Sequence, residues 1–325
     1  MSLSEPTVLE QDPAALDAVA ERIQDGIAES IRSLGRRGAV VGVSGGVDSG
    51  VVAALCARAV GPDHTMCLRM PERDVESDSS DLGLELANAL GAQTVEEPIT
   101  AALEGLGCYR RRDEAIRQVF PDYDPSWRHK LVRSAPGGMI VFSLVVERPD
   151  GVQESRRMPP DAYRAVLAAT NMKQRVRKLM EYTWADQLGY AVAGTANLLE
   201  HDQGFFVKGG DGLADVKPIA ALYKSQVFAL ARHLGLPDGI AGRNPTTETF
   251  SLPQTQEEFY FGHPHERMDV LVWGELHDVP AAELAPRAGL DEAGVEVAYR
   301  EISRRRDATA YLHAPAIVLG DGAVN

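Results

Sequence analysis

The stretch Gly42–Ser49 reads GVSGGVDS and lies between the apolar run Ala39-Val40-Val41 and the helix-like GVVAALCARAV. Gly45 and Gly46 allow a backbone to approach an oxyanion closely, because glycine has no Cβ and tolerates positive φ. A helix that begins there points its free N–H groups at the same anion. Ser44 and Ser49 add hydroxyl donors. The loop is not a Walker loop, since it has no Gly-Lys-Ser/Thr, and it is not a GxGxxG dinucleotide fingerprint. Asp48 sets it apart. A carboxylate beside phosphates repels them unless a Mg²⁺ lies between, and Mg²⁺ commonly takes one or two carboxylates together with phosphate oxygens. The plainer reading is a glycine turn with Asp48 as the helix N-cap.

The surrounding pattern supplies elements that can hold such a loop. Leu16, Val19, Ile23, Ile27 and Ile31 recur at spacings of three and four, which predicts an amphipathic helix over Asp12–Leu34. A strand follows at Ala39–Val43, then a helix at Gly50–Val60, a strand at Thr65–Met70, a helix at Ser77–Leu90 and a strand at Ala92–Glu96. This order predicts an α/β fold, a doubly wound and mostly parallel sheet flanked by helices. From Gly105 to Pro160 the character changes to basic YRRRDEAIRQ, aromatic FPDYDPSW, a Pro-Gly-Gly turn, and two strand-like runs about Pro149-Asp150-Gly151 that read as a β-hairpin. A long helix is expected at Ala162–Leu188, with a break near Thr170-Asn171, and then a strand at Tyr190–Gly194 ending in Thr195. The chain reads as one domain over 1–325, with an inserted segment at 105–160 and a helical C-terminal extension at 250–325.

Composition narrows the function classes. With 33 Lys+Arg against 47 Asp+Glu the formal charge is −14, which disfavours nucleic acid or an anionic membrane as a partner. An anionic ligand must therefore meet local basic clusters. Cys56, Cys67 and Cys108 are widely spaced and contain no CxxC pair, which argues against a disulfide framework or a zinc site and for a reducing, cytoplasmic setting. Cys108 has basic neighbours and is a candidate reactive thiol. No run approaches the ~20 apolar residues that span a bilayer.

Ser44–Ser49, SGGVDS, resembles the SGGxDS pyrophosphate loop of the N-type ATP pyrophosphatases, the adenine nucleotide alpha hydrolase-like superfamily. A second block, Asn171–Lys224, resembles NAD synthetases in several linked motifs. These are the K-x-R helix at Lys173–Arg175, Gly194-Thr195 with Glu200 five residues on, GFFxK at Gly204–Lys208, GDGxAD at Gly210–Asp215, and Lys224-x-Gln226. The resemblance implies a ligase that adenylates the nicotinate carboxylate of deamido-NAD with ATP, releases pyrophosphate, and lets ammonia displace AMP to form NAD. It implies that Asp48 and Glu200 hold Mg²⁺, and that Gly42, Val43, Ser44, Gly45, Gly46, Val47, Asp48, Ser49, Thr195, Lys224 and Thr246 contact ATP. Arg175, Lys208 and Asp215 would contact deamido-NAD, and Asp48 with Lys224 would form the catalytic pair. The chain carries no nitrilase-like domain and so resembles the shorter, ammonia-using form, with a separate glutaminase as an optional partner. By the same resemblance it is expected to be a homodimer. It departs from the family in the length of 105–160 and in Tyr311–Pro315, which lacks a His-Lys pair.

Each feature has a plainer alternative. Arg175 and Lys178 fall on a helix face distinct from Met172, Val176, Leu179 and Thr183, as a solvated face would. Phe205-Phe206 suits a core, and Gly209–Gly212 suits a turn, with Asp211 as loop structure or a secondary ligand. His263, His265 and Glu266 resemble part of a metal site but lack a third ligand at helical spacing. Two other functions are compatible with parts of the chain. One is a related enzyme that amidates a different carboxylate. The other is an ATP-sensing DNA-binding regulator, suggested by a helix-turn-helix outline over Pro280–Arg306.

Overall fold

The computed structural model describes residues 12–319, apart from 75–76, 135–140, 244–245 and 248 and the side chains of 77–79. The Pro-Gly-Gly turn and Pro245 lie outside the described residues. In chain order the elements are α1 (Pro13–Ser33), β1 (Ala39–Gly42), α2 (Val47–Val60), β2 (Thr65–Arg69), α3 (Ser77–Leu90), β3 (Gln93–Glu96), α4 (Thr100–Gly105), α5 (Cys108–Arg117), β4 (Arg128–Ser134), β5 (Val141–Glu147) and β6 (Gln153–Arg157). They continue as α6 (Pro160–Leu188), β7 (Ala191–Ala193), α7 (Leu198–Gln203), α8 (Lys224–His233), α9 (Asp238–Ala241), α10 (His265–Leu276), α11 (Ala281–Ala288) and α12 (Glu292–His313).

β3, β2, β1 and β7 form, in that order, a parallel sheet in which Ala39 lies opposite both Thr65 and Ala191. Ala39, Val41 and Cys67 face a core shared with α1, α2 and α8, while Val40, Met66 and Leu68 face Val176 and Ala185 of α6. Burial on both faces explains why these strands read as continuous apolar runs. The chain leaves β1 toward β2 and returns on the other side as β7. A crevice therefore opens at the carboxyl ends of β1 and β7, where ligands bind in open α/β sheets.

The hairpin about Pro149-Asp150-Gly151 is present, with Gly151 at φ +83°, but it belongs to a separate antiparallel sheet β4-β5-β6. β4 is not apparent in the sequence because RHKLVRS is mostly basic. His129 and Leu131 are the buried residues of β4, and Leu131 joins Leu144, Val146, Phe120, Val166, Phe250 and Phe259 in a second core.

Most boundaries shift by one or two residues, and two differences bear on the site. α2 starts at Val47 rather than Gly50, which puts Asp48 and Ser49 inside its first turn. α6 runs unbroken through Thr170-Asn171. The polar run does not interrupt the helix because its inward side is itself polar: Lys173 Nζ, buried, donates to Glu72 Oε1 (2.9 Å), Asp74 Oδ2 (2.7 Å) and the Thr249 carbonyl (2.9 Å). Among the described residues no helix is long and apolar enough to cross a membrane.

Removing one partner of a buried ion cluster leaves uncompensated charge behind. Lys173→Ala is expected to lower unfolding stability by about 3–5 kcal/mol, measured by urea denaturation.

Candidate active site

The glycine loop takes its shape from its own residues. Gly45 adopts φ +79°, which favours glycine, and Gly46 is the extended N-cap of α2. Gly46 N–H donates to Ser44 Oγ (3.3 Å), and Ser49 Oγ donates to the Gly46 carbonyl (3.0 Å). No side chain caps α2, so its first N–H groups stay open toward the crevice. Asp48 is therefore not an N-cap; it stands in the first turn with its carboxylate turned to the cavity.

Two elements converge on that carboxylate. Lys224 Nζ, at the start of α8, donates to Asp48 Oδ2, and Asn197 Nδ2 donates to Asp48 Oδ1 (3.0 Å). Asn197 is also the N-cap of α7, in a capping box with Glu200: Asn197 Oδ1 accepts the Glu200 N–H (3.1 Å) and Glu200 Oε2 accepts the Asn197 N–H (3.2 Å). Gln256 Nε2 donates to Glu200 Oε1 (2.8 Å). Burial, reinforced by the charge of Asp48, pushes the Glu200 carboxyl up to about 7. Burial would lower the Lys224 ammonium, but Asp48 and Glu200 outweigh it and hold it above the usual lysine range.

Lys224 is aimed from behind by Asp269 of α10. Its Oδ1 accepts the Lys224 N–H (3.1 Å) and its Oδ2 accepts the Ser225 N–H (2.7 Å). Burial pushes the Asp269 carboxyl up to about 7 against those two donors.

Asp48, Glu200, Lys224 and Gln256 line a cavity of about 650 Å³ at the carboxyl ends of the parallel strands, with Asn197 and Asp269 behind them. Of the ATP candidates, Gly42, Val43, Ser44, Gly46, Val47, Asp48, Ser49, Thr195, Lys224 and Thr246 line it, and Gly45 does not. Glu200, Arg175 and Lys208 line it as well. Lys208 Nζ donates to the Tyr311 (2.7 Å) and Ala314 (2.8 Å) carbonyls, so the end of α12 reaches the cavity despite lacking a His-Lys pair. Gly204 makes this approach possible, since a Cβ there would lie 2.3 Å from Thr309 Cβ. Asp215 stands apart from the lining. Its Oδ1 accepts from Tyr182 Oη (3.1 Å) and its Oδ2 from the Val192 N–H (2.8 Å), which ties it to β7.

Several lining residues escaped the sequence reading. Lys178 is buried and donates to Glu181 beside Gly42, whereas Leu179, expected on the apolar face, is 63% exposed. Burial raises the Glu181 carboxyl, with Lys178 opposing the shift. Arg69, Arg177 and Arg243 add positive charge. Phe205 packs against both the second core and a third one, which includes Leu271 of α10, Leu284 of α11 and Val295 of α12, yet it and Phe206 also line the cavity, as does Asp211, which accepts the Val207 N–H (2.7 Å). The Asn197-x-x-Glu200 capping box was readable as a pattern. Asp269 carried no local signal.

The other candidates resolve differently. Cys108 is buried with its Sγ donating to the Ala169 carbonyl (3.2 Å), and burial pushes the thiol up, so it is not an activated nucleophile. His265 pairs with Glu266 (3.3 Å) and lies against Phe228. Among the described residues no group of three His, Cys, Asp or Glu is placed to hold a metal. In the helix-turn-helix outline, Arg305 donates to Gln203, and Arg306 pairs with Asp202 and Glu275, so these two arginines bind the molecule's own polar groups rather than forming a basic face.

The NAD synthase family model matches residues 19–117 and 152–305. The chain is 50% identical over 311 residues to the NH(3)-dependent NAD(+) synthetase of Rhizobium meliloti (strain 1021), covering 94% of this chain and 93% of that one. It is 35% identical over 249 residues to the NH(3)-dependent NAD(+) synthetase of Thermotoga maritima, covering 75% and 82%. Among solved structures, NAD+ synthetase from Burkholderia pseudomallei aligns with a TM-score of 0.55 at 25% identity, over 96% of this chain and 98% of that one. NMN synthetase from Francisella tularensis aligns at 0.65 with 21% identity, over 94% and 99%, and shares the fold.

A carboxyl whose pKa is higher in the folded than in the unfolded chain stabilises the fold below its unfolded pKa, and that contribution is lost as pH rises through the folded value. For Glu200 the window runs from its ordinary 4.5 to about 7. The fall in melting temperature between pH 5 and pH 8 is accordingly expected to be smaller in Glu200→Gln than in the unaltered protein, measured by scanning calorimetry.

Proposed function

Because the chain belongs to the NAD synthase family, we infer that it makes NAD by ammonia-dependent amidation of deamido-NAD with ATP, and that the cavity between β1 and β7 is where it does so. The observation that supports this site is the pair made by buried Lys224 with half-buried Asp48 at the mouth of an uncapped helix, with Glu200 in the same cavity lining.

We propose that the β- and γ-phosphates of ATP sit over the N–H groups of α2, within reach of the Ser44 and Ser49 hydroxyls and the Lys224 ammonium. Thr195 and Thr246 contact the rest of the nucleotide. Arg175 and Lys208, joined by the Arg175 Nε bond to the Lys208 carbonyl (3.3 Å), receive deamido-NAD, and Asp215 belongs with them only through a surface other than this lining. The nicotinate carboxylate attacks the α-phosphorus and the bond to the leaving pyrophosphate breaks. Ammonia then attacks the acyl carbon, AMP leaves and one proton is released. None of these steps requires a nucleophilic side chain. The protein orients two anions and neutralises the charge that develops on the pyrophosphate.

The residues also fit a divalent cation. Two carboxylates, Asp48 and Glu200, face the cavity with one ammonium between them, and Glu200 is forced up to about 7 by its burial and its acidic neighbour. A Mg²⁺ held by this pair, completing its shell with oxygens from ATP, would neutralise charge on the phosphates. By family resemblance the chain acts as a homodimer, which sedimentation equilibrium tests directly.

Purified protein with ATP, Mg²⁺, ammonium and deamido-NAD is expected to release AMP, pyrophosphate and NAD in equal amounts; no NAD at saturating substrate overturns the reading. Asp48→Asn, which keeps the side-chain shape and removes the charge, is expected to lower kcat/KM by about 10²–10³-fold with an unchanged circular dichroism spectrum.

A further inference from the structure

Residues 118–151 fall in the gap of the NAD synthase match, and they carry β4 and β5. β4 lies along the chain that follows Thr249. His129 N–H donates to Ser251 Oγ (2.9 Å), and the His129 carbonyl accepts the Leu252 N–H (3.1 Å). Arg128 Nε donates to the Ser251 carbonyl (2.9 Å), and Lys130 Nζ pairs with Glu258 (2.8 Å). Gln254 Nε2 donates to the Leu131 carbonyl.

The same stretch turns its other edge to the cavity. The Gln254 carbonyl accepts the Thr247 N–H (3.1 Å), and Thr246 forms a β-bridge with Thr255. Two residues further on, Gln256 donates to Glu200. Phe250 and Phe259 belong to the core under β4 and also line the cavity. Gln254 is the link between the two sides. It is 4% exposed, does not line the cavity, and joins β4 through its Nε2, and Thr247 both through its main chain and through its Oε1, which accepts from Thr247 Oγ1 (3.4 Å).

We propose that β4 is a splint for the ATP side of the cavity: acting through Gln254, a positioning residue, it holds Thr246–Thr247 and Gln256 in place before any ligand arrives. A free segment of this kind loses conformational freedom when a ligand orders it, and that loss weakens binding; a segment already tied to a sheet loses less. The splint therefore acts on ATP affinity. It has little effect on the chemical step or on deamido-NAD, whose proposed contacts Arg175 and Lys208 lie on other elements. The assignment of ATP to this wall rests on the function proposed above.

Hydrogen–deuterium exchange of the whole, ligand-free protein tests the proposal, together with equilibrium dialysis of ATP in Mg²⁺ and steady-state kinetics. Gln254→Met keeps the side-chain length and removes the donor. Arg128→Ala with Lys130→Ala is a second variant on the more exposed side of β4, should the first not fold. In the unaltered protein the amides of Thr247 and Leu252 are expected to be protected. Either variant is expected to speed exchange across 249–259 and to weaken ATP binding about tenfold, with kcat at saturating ATP and the KM for deamido-NAD within about twofold. Fast exchange of these amides in the unaltered protein overturns the proposal. So does faster exchange in the variants with unchanged ATP affinity, or an equal loss of kcat and of both affinities. If the protein binds ATP but makes no NAD, the functional reading fails while the exchange and dialysis results still decide this one.

Discussion

The buried ammonium of Lys224 holds the site together. Its charge lies against Asp48, at the first turn of α2, and near Glu200, in the first turn of α7, while Asp269 of α10 anchors its backbone. A buried charge is tolerated only when it is paired and its hydrogen bonds are met. Meeting that condition brings α2, α7, α8 and α10 to one point. The separation of the two carboxylates, the angle of the uncapped helix end and the opening of the crevice all follow from how these helices must meet around one cation.

The cavity has two walls of different origin. One is the carboxyl edge of a parallel sheet, where the backbone supplies donors and acidic side chains stand close together. The other is lined by aromatic residues, Tyr163, Phe250, Phe259 and Tyr260, rooted in or packed against the core beneath the antiparallel sheet. α6 spans both. Its Ala162 and Val166 pack into the second core and its Val176 and Ala185 into the sheet core, while Lys173 neutralises Glu72 and Asp74 beside the helix and Lys178 neutralises Glu181 of α6 itself. An amphipathic helix of the ordinary kind could not do this, and the polar run that looks like a break is what lets it serve two cores.

Much of this was legible in the chain. Ala39–Val41 followed by GVSGGVDS reads as strand, anion loop and helix because glycine freedom and apolar continuity are local properties. Asn197-x-x-Glu200 is a local capping pattern, and through Asn197, which donates to Asp48, it links two cavity residues, Asp48 and Glu200. Lys178 and Leu179 illustrate the opposite case. Periodicity put leucine inside and lysine outside, yet a buried acid three residues along α6 reverses them, and no helical pattern records where a pairing acid will stand. β4 was hidden for a similar reason: its basic side chains are matched by Glu258 and Glu301, far along the chain.

What the sequence determined by itself is therefore the chemistry on offer: an α/β sheet, a glycine loop with a carboxylate in it, and a set of cations and acids further along. Those depend on interactions within a few residues, which spacing reports faithfully. Only the tertiary structure decided which of these groups meet. Asp48 with Lys224, Glu200 with Gln256, Lys208 with the end of α12, and Asp215 turned away to β7 are all contacts between distant segments. Their partners are chosen by how buried charges and backbone groups can be satisfied once the two sheets have packed, a condition that exists only in the folded chain.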